Sequence, residues 1–206
     1  MSSVMIKHML NQQTRKGAGF TIVELLIVIV VIGILAAITI VAYNGIQVRS
    51  NNTARIANAN AAIKSISAYI AANGSYPWTG VNCIGTGFVD NKCWGIDSVT
   101  PSSVNNTFNN RLLEISSLPN NTTPPVQTAS YKALGPVYLY NAAFTVDGVS
   151  NPVFVIYFLE GNAQHCAVGK SVRPTASNTY VSTTSTPGYG FTDATSTTCY
   201  AAIPAI

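Results

Sequence analysis

Few residues of this 206-residue chain can titrate, and one of them sits where a charge is expensive. From Phe20 to Tyr43 the only charged residue is Glu24, in a run otherwise dominated by Ile, Val, Leu and Ala. A carboxylate inside a lipid-compatible helix costs about 2.5–3.5 kcal/mol on insertion-type scales, and ionisable groups retained there are functional by default. A plain anchor gains nothing from it, so Glu24 requires a partner. Elsewhere catalysis has little to work with. His8 and His165 are the two histidines, and no Gly-x-Ser-x-Gly segment accompanies them. Asp90, Asp97, Asp147 and Asp193 are scattered and mostly adjoin turn residues, where Asp serves the backbone. No enzymatic activity and no small-molecule substrate are expected. Cys83, Cys93, Cys166 and Cys199 show no Cys-x-x-Cys spacing, and His165 beside Cys166 does not make a site alone, so neither metal nor cofactor is expected.

The element that must position Glu24 is a helix long enough to cross a bilayer. A hydrocarbon core of about 30 Å takes about 20 apolar residues, and this run is slightly longer. Lys7, Arg15 and Lys16 precede it with no acid, which retains that end in the cytoplasm. A cleaved secretory signal has a shorter apolar region, about 7–15 residues, and a small-residue cleavage site such as Ala-x-Ala. Leu35-Ala36-Ala37 lacks that pattern.

Lys16, Gly19, Phe20, Thr21 and Glu24, followed by Gly33 and Ile34-Leu35-Ala36-Ala37, resemble the N-terminus of the type IV prepilin family over roughly residues 14–45. The resemblance implies a basic leader cut between Gly19 and Phe20 by a prepilin peptidase, N-methylation of the new Phe20 amine, and Glu24 as the fifth mature residue. Cleavage would place a positive amine a few residues from the Glu24 carboxylate. Opposite charges attract strongly at low dielectric, while desolvation offsets much of the gain, so such a pair sets register more than stability. Phe20 of one subunit meeting Glu24 of its neighbour would fix the axial step of a helical assembly. The competing reading has Glu24 snorkel to the cytoplasmic interface one turn away. One departure stands out: many family members carry Pro at the twenty-second mature position, here Val41. Asn44-Gly45 is the nearest helix-weakening pair, since Gly costs about 1 kcal/mol in a helix interior, and any bend is expected to shift there. Gly33 has no second Gly to make a Gly-xxx-Gly face.

Ile56, Ile63, Ile66 and Ile70 extend one apolar face beyond the membrane, with Arg49, Arg55 and Lys64 off the stripe and facing solvent or a neighbouring subunit. Asn73-Gly74, with Pro77 beyond, ends the helix. The expected segments are therefore a leader (1–19), an assembly half (20–43), a soluble helical half (44–74) and a globular domain (75–206). In that domain a short helix is expected near Asn109–Ser117, strands at Val137–Val146 and Pro152–Glu160, and a third at Gln164–Val172. An antiparallel meander over the isoleucine stripe gives an α+β fold: a long N-terminal helix, membrane-spanning in its first half, packed by its second half on a small antiparallel β-sheet domain. The resemblance implies the same pilin-like lollipop.

Four cysteines in an exported domain favour disulfides with three possible connectivities. Sequence proximity suggests Cys83–Cys93 and Cys166–Cys199, the second enclosing the Ser/Thr-rich stretch Ser177–Thr198. It also looks like the C-terminal disulfide loop that pilins often present outward. Trp78, Trp94, Tyr189 and Phe191 read as core or loop-packing residues rather than a ligand surface. Net charge is +4, yet without Lys7, Arg15 and Lys16 eight basic residues face seven acidic ones. No concentrated basic stripe for DNA remains, and Arg49 with Arg55 makes only a local cluster.

Three readings follow. The first is a structural subunit of a type IV pilus, stored as a single-pass precursor in the cytoplasmic membrane with its N-terminus inside, then assembled into an extracellular filament. Its partners are a prepilin peptidase, other pilin subunits, an assembly platform and the membrane, with a host surface or DNA as ligand. The second is a minor pilin or secretion-system pseudopilin. The third is a signal-anchored surface-binding protein that acts as a monomer.

Overall fold

The computed structural model describes residues 19–183 and 191–204. Two units make up the chain, Met1–Asn44 and Gly45–Ile206. Helix α1, Ile22–Asn73, contributes to both. Its unbroken assignment follows from a sequence without proline and rich in Ala, Ile and Leu. It stops where Gly74 takes a left-handed φ of 60° and donates its N–H to Ile70 O at 2.8 Å, the C-terminal cap that glycine makes without strain.

The second unit adds helix α2 (Asn106–Leu113) and thirteen short strands in chain order. They are β1 (Val81–Cys83), β2 (Lys92–Trp94), β3 (Ser102–Ser103), β4 (Val126–Gln127), β5 (Lys132–Ala133), β6 (Val137–Tyr140) and β7 (Thr145–Val146). Next come β8 (Val149–Ser150), β9 (Val153–Glu160), β10 (Lys170–Ala176), β11 (Thr179–Ser182), β12 (Phe191–Thr192) and β13 (Ser196–Ala202). The main sheet runs β1-β6-β9-β13-β10-β11-β7-β8, with β12 also paired to β13. A smaller sheet runs β3-β2-β5-β4. Pairing is antiparallel throughout the main sheet except between β11 and β7. The fold is α+β and pilin-like: a long apolar N-terminal helix followed by an antiparallel-rich sheet domain.

Strand β9, ValPheValIleTyrPheLeuGlu, is apolar on both faces because both are covered. Val153 and Val155 pack with Ala62 and Ile66 of α1 and with Phe108, Leu112 and Tyr138. Tyr157 and Leu159 meet Ala59, Cys166, Val168 and Cys199. On the opposite face Ile156 and Phe158 pack under the smaller sheet, and Phe154 packs with Phe144, Val172 and Tyr180.

Several expectations need correction. The sheet is not a simple meander, because β13 inserts between β9 and β10. Ser196-Thr197-Thr198 belongs to that central strand, where all three are buried, although the Ser/Thr-rich stretch reads as having little core. Threonine suits a pleated, buried surface as well as a loop. The third expected strand starts at Lys170 rather than Gln164, since Cys166 and Val168 instead pack toward α1. The expected strand Val137–Val146 splits at Asn141, whose side chain accepts Ala143 N–H at 2.9 Å and turns the chain. Asp147-Gly148, both at positive φ, close a two-residue hairpin between β7 and β8. Helix α2 begins earlier than expected because Asn105 caps it, accepting Phe108 N–H at 3.1 Å.

The soluble half of α1 is also more polar inside than its isoleucines suggest. Its buried ridge is Asn52, Arg55, Ala59, Ala62 and Ile66, at spacings of three and four. Ile56, Ile63 and Ile70 are partly buried beside it. Arg55 does not face solvent: it is 3% exposed. Its guanidinium donates to Asn52 Oδ1 at 2.9 Å and Pro124 O at 2.8 Å, with Glu160 Oε2 at 3.9 Å. Burial lowers its pKa from the ordinary arginine value, and the Glu160 charge opposes that. Asn52 in turn donates to Glu160 O and accepts Glu160 N–H, both at 2.9 Å, so its amide extends the end of β9 as a neighbouring strand would.

Candidate functional site

The candidate site is the start of α1. Thr21 and Glu24 form a reciprocal capping box there. Thr21 Oγ1 accepts Glu24 N–H at 3.2 Å, and Glu24 Oε2 accepts both the Thr21 N–H and the Thr21 hydroxyl at 2.8 Å. The first helical bond follows, Leu25 N–H to Thr21 O at 3.3 Å. The Thr-x-x-Glu spacing is a readable helix-start signal, and attention to the charge of Glu24 alone passes over it. One carboxylate oxygen thus serves its own chain. The other, Oε1, has no hydrogen-bond partner among the described residues.

Around it lies an uncovered apolar surface. Phe20 and Ile22 are each 84% exposed, and the large side chains from Val23 to Ile40 stay exposed. Phe20, Glu24, Leu25, Ile27 and Val28 border one groove of about 470 Å³. The helix is long and apolar enough to cross a membrane. The Thr39 hydroxyl is satisfied within the helix, donating to Ala36 O at 2.9 Å. Gly33 and Gly45 have nothing within 4 Å of where a Cβ would stand, so neither is held by close packing within its own chain. At Val41 the backbone continues as helix without interruption.

The other expected site residues lie in the second unit and form two disulfides. Cys83–Cys93 ties β1 of the main sheet to β2 of the smaller one. Cys166–Cys199 ties the segment before β10 to the middle of β13. Trp78 stacks under Arg111 at 5.2 Å and receives the Tyr138 hydroxyl on its carbonyl at 2.8 Å. Trp94 packs on Tyr131 and Phe158. Tyr189 lies outside the described residues, as do His8 and the basic residues Lys7, Arg15 and Lys16, and nothing is described of the Phe191 side chain. Among the described residues no group of three or more His, Cys, Asp or Glu side chains gathers where it could hold a metal.

This arrangement has the features of an association surface. An exposed apolar helix carries one carboxylate whose Oε1 is unspent among the described residues, and Phe20, just before the Thr21 cap, borders the same groove. Residues 14–40 match the family model described as the prokaryotic N-terminal methylation motif, the type IV prepilin signature. No curated protein and no solved structure matches the chain. Pilin-like proteins with this motif are structural components, and the chain carries their N-terminal signature, their long apolar helix and a pilin-like α+β domain.

Proposed function

We propose that the chain is a structural subunit of a type IV pilus, processed between Gly19 and Phe20 and assembled through α1 into an extracellular filament. The observation that carries this reading is the pairing of an uncovered apolar helix with Glu24, whose carboxylate caps its own helix through Oε2 and leaves Oε1 open. Before assembly the membrane covers residues 20–43, and the capping box keeps the carboxylate partly satisfied near the cytoplasmic interface. A prepilin peptidase acting after Gly19 frees the Phe20 amine, which N-methylation leaves able to hold a positive charge. An α-amino group with an ordinary pKa of about 7.7–8.0 is largely protonated at neutral pH.

In the filament the apolar helices of neighbouring subunits replace lipid. Glu24 Oε1 then accepts a hydrogen bond from the Phe20 amine of the adjacent subunit. An apolar contact slides with little penalty, whereas a buried charge left unpaired is costly, so the pair selects one register. The proposed segments are the leader 1–19, the assembly half 20–43, the soluble half 44–74 and the disulfide-bearing domain 75–206. The two disulfides hold that domain in the oxidising environment outside the cytoplasm.

The test is the mass of the mature N-terminal peptide from sheared filaments. A peptide beginning at N-methylated Phe20 is the expected result. An intact Met1–Gly19 leader on the assembled protein would overturn the reading. The abundance of the chain in the same filaments decides between a major subunit, which dominates them, and a minor or pseudopilus component.

A further inference from the structure

On the sheet face turned away from α1, the loop before β5 and the strand β13 enclose an open cleft of about 290 Å³. Tyr131, Tyr200, Ser130 and Thr198 line it, each carrying a hydroxyl. None of these four hydroxyls has a hydrogen-bond partner among the described residues. Tyr131 is steadied by Trp94 and Phe158, and Tyr200 by Tyr180, at ring separations of 5.8–6.4 Å. Burial pushes the Tyr200 phenol up from its ordinary pKa, so it stays a neutral donor.

The walls are braced. Asp193 Oδ1 accepts from Thr195 N–H, Thr195 Oγ1 and Ser196 N–H at 2.7–2.8 Å. Its Oδ2 accepts from Ser196 Oγ and, across the cleft, from Ala129 N–H, both at 2.8 Å. Thr195 Oγ1 reaches Gln127 O at 3.0 Å on the same opposite wall. The Cys166–Cys199 disulfide fixes the residue between Thr198 and Tyr200. A ligand entering therefore meets walls already in place, which lowers the ordering cost of binding.

The chemistry selects the occupant. Asp193 has committed both oxygens to five donors, yet it keeps its negative charge and disfavours an anion. Among the described residues no basic side chain lines the cleft. A peptide cannot add as a strand, because β13 is paired on both edges over this stretch. Aromatic rings flanked by unspent hydroxyls suit a neutral, polyhydroxylated ring with an apolar face. We propose that this cleft is a binding subsite for a neutral saccharide, with Tyr131 and Tyr200 as ring contacts and Ser130 and Thr198 as hydrogen-bonding partners. The proposal is independent of the filament reading, since every residue it names belongs to one chain.

The test uses the full mature chain in micelles of a non-glycosidic detergent, with lactose and cellobiose as probes and sulfated lactose as the charged comparator. Saturation-transfer NMR should show both neutral sugars bound with millimolar affinity and the sulfated one bound more weakly. Thr198→Val and Tyr200→Phe, which remove hydroxyl groups with little change of shape, should each weaken binding roughly threefold to tenfold. Ser130→Ala, at an exposed position remote from the core, gives the same readout without risk to folding. No transfer to either neutral sugar at about 10 mM, a concentration well above a millimolar Kd, would overturn the proposal. So would unchanged affinity across the three variants, or tighter binding of the sulfated sugar. Failure here leaves the N-terminal processing test untouched.

Discussion

Between Ile22 and Ile40 helix α1 leaves its large apolar side chains uncovered, whereas between Asn52 and Ile66 it buries an asparagine, an arginine and a serine. The contrast inverts the usual rule that apolar residues go inside, and each half does so for its own reason. In the first half the apolar side chains are exposed among the described residues, and a contiguous apolar surface of that size points to an external partner. In the second half small residues Ala59 and Ala62 let the helix sit close on β9. At that distance polar side chains reach backbone groups that the sheet leaves unpaired: Asn52 bonds to Glu160, Arg55 to Pro124 and Ser65 to Ser117. One half presents apolar surface outward, the other packs on its own domain.

The strongest way to break this comparison is to change the one charge of the first half. Glu24→Gln keeps the size and the ability to accept the Thr21 hydrogen bonds but removes the charge. Filament yield, read by shearing and quantitative immunoblotting, should fall at least tenfold, because a loss of about 1.4 kcal/mol per contact is already tenfold. The precursor should still reach the membrane. Normal filaments would overturn the pairing account and leave Glu24 the role of a helix cap.

In the second half the effects are on stability and not on assembly as such. Replacing Cys166 and Cys199 by Ser opens a closure spanning 33 residues and should lower unfolding stability by about 3–4 kcal/mol in the chain-entropy model. Denaturant titration of the full chain in micelles reads that loss. Asn52→Leu strips two hydrogen bonds from Glu160 and one from the buried Arg55, and should cost about 3 kcal/mol by the same measurement, given about 1 kcal/mol per bond. An unchanged midpoint would mean that water replaces the amide fully. The smallest effect belongs to the boundary between the units. Gly45→Ala meets no obstruction and should stabilise the helix by up to about 1 kcal/mol, seen as a higher helical melting temperature. If Gly45 is the compliant point that stands in for the proline absent at Val41, the same change should also reduce filament extension under load.

Much of this was legible in residue order, for identifiable reasons. The apolar run, its single acid and the glycine before Phe20 are contiguous, so the helix and the motif it carries need no tertiary context. Asn73-Gly74 ends the helix by a local conformational rule and does so in the structure. The position of β13 was not legible. Its pairing with β9 joins residues about forty apart, and Ser, Thr and Ala give no local sign of a central strand. Arg55 was misplaced because a helix face read from isoleucines ignores what a long polar side chain can reach inside. The cleft escaped for a similar reason: Tyr131 and Tyr200 come together only when the two sheets stack. Thr21 was visible as part of a motif, while its bonds to Glu24 belong to a capping rule that the motif does not mention.

The place of β13 also orders events in time. The strand between β9 and β10 is made after both, so the sheet holds an open slot until residues 196–202 have been synthesised and docked. Until then the facing edges of β9 and β10 stay unpaired and open to stray pairing with another chain. Closure of the slot brings Cys199 to Cys166 and fixes the domain in one step. Oxidation of that pair would therefore report that the last strand of the sheet is in place.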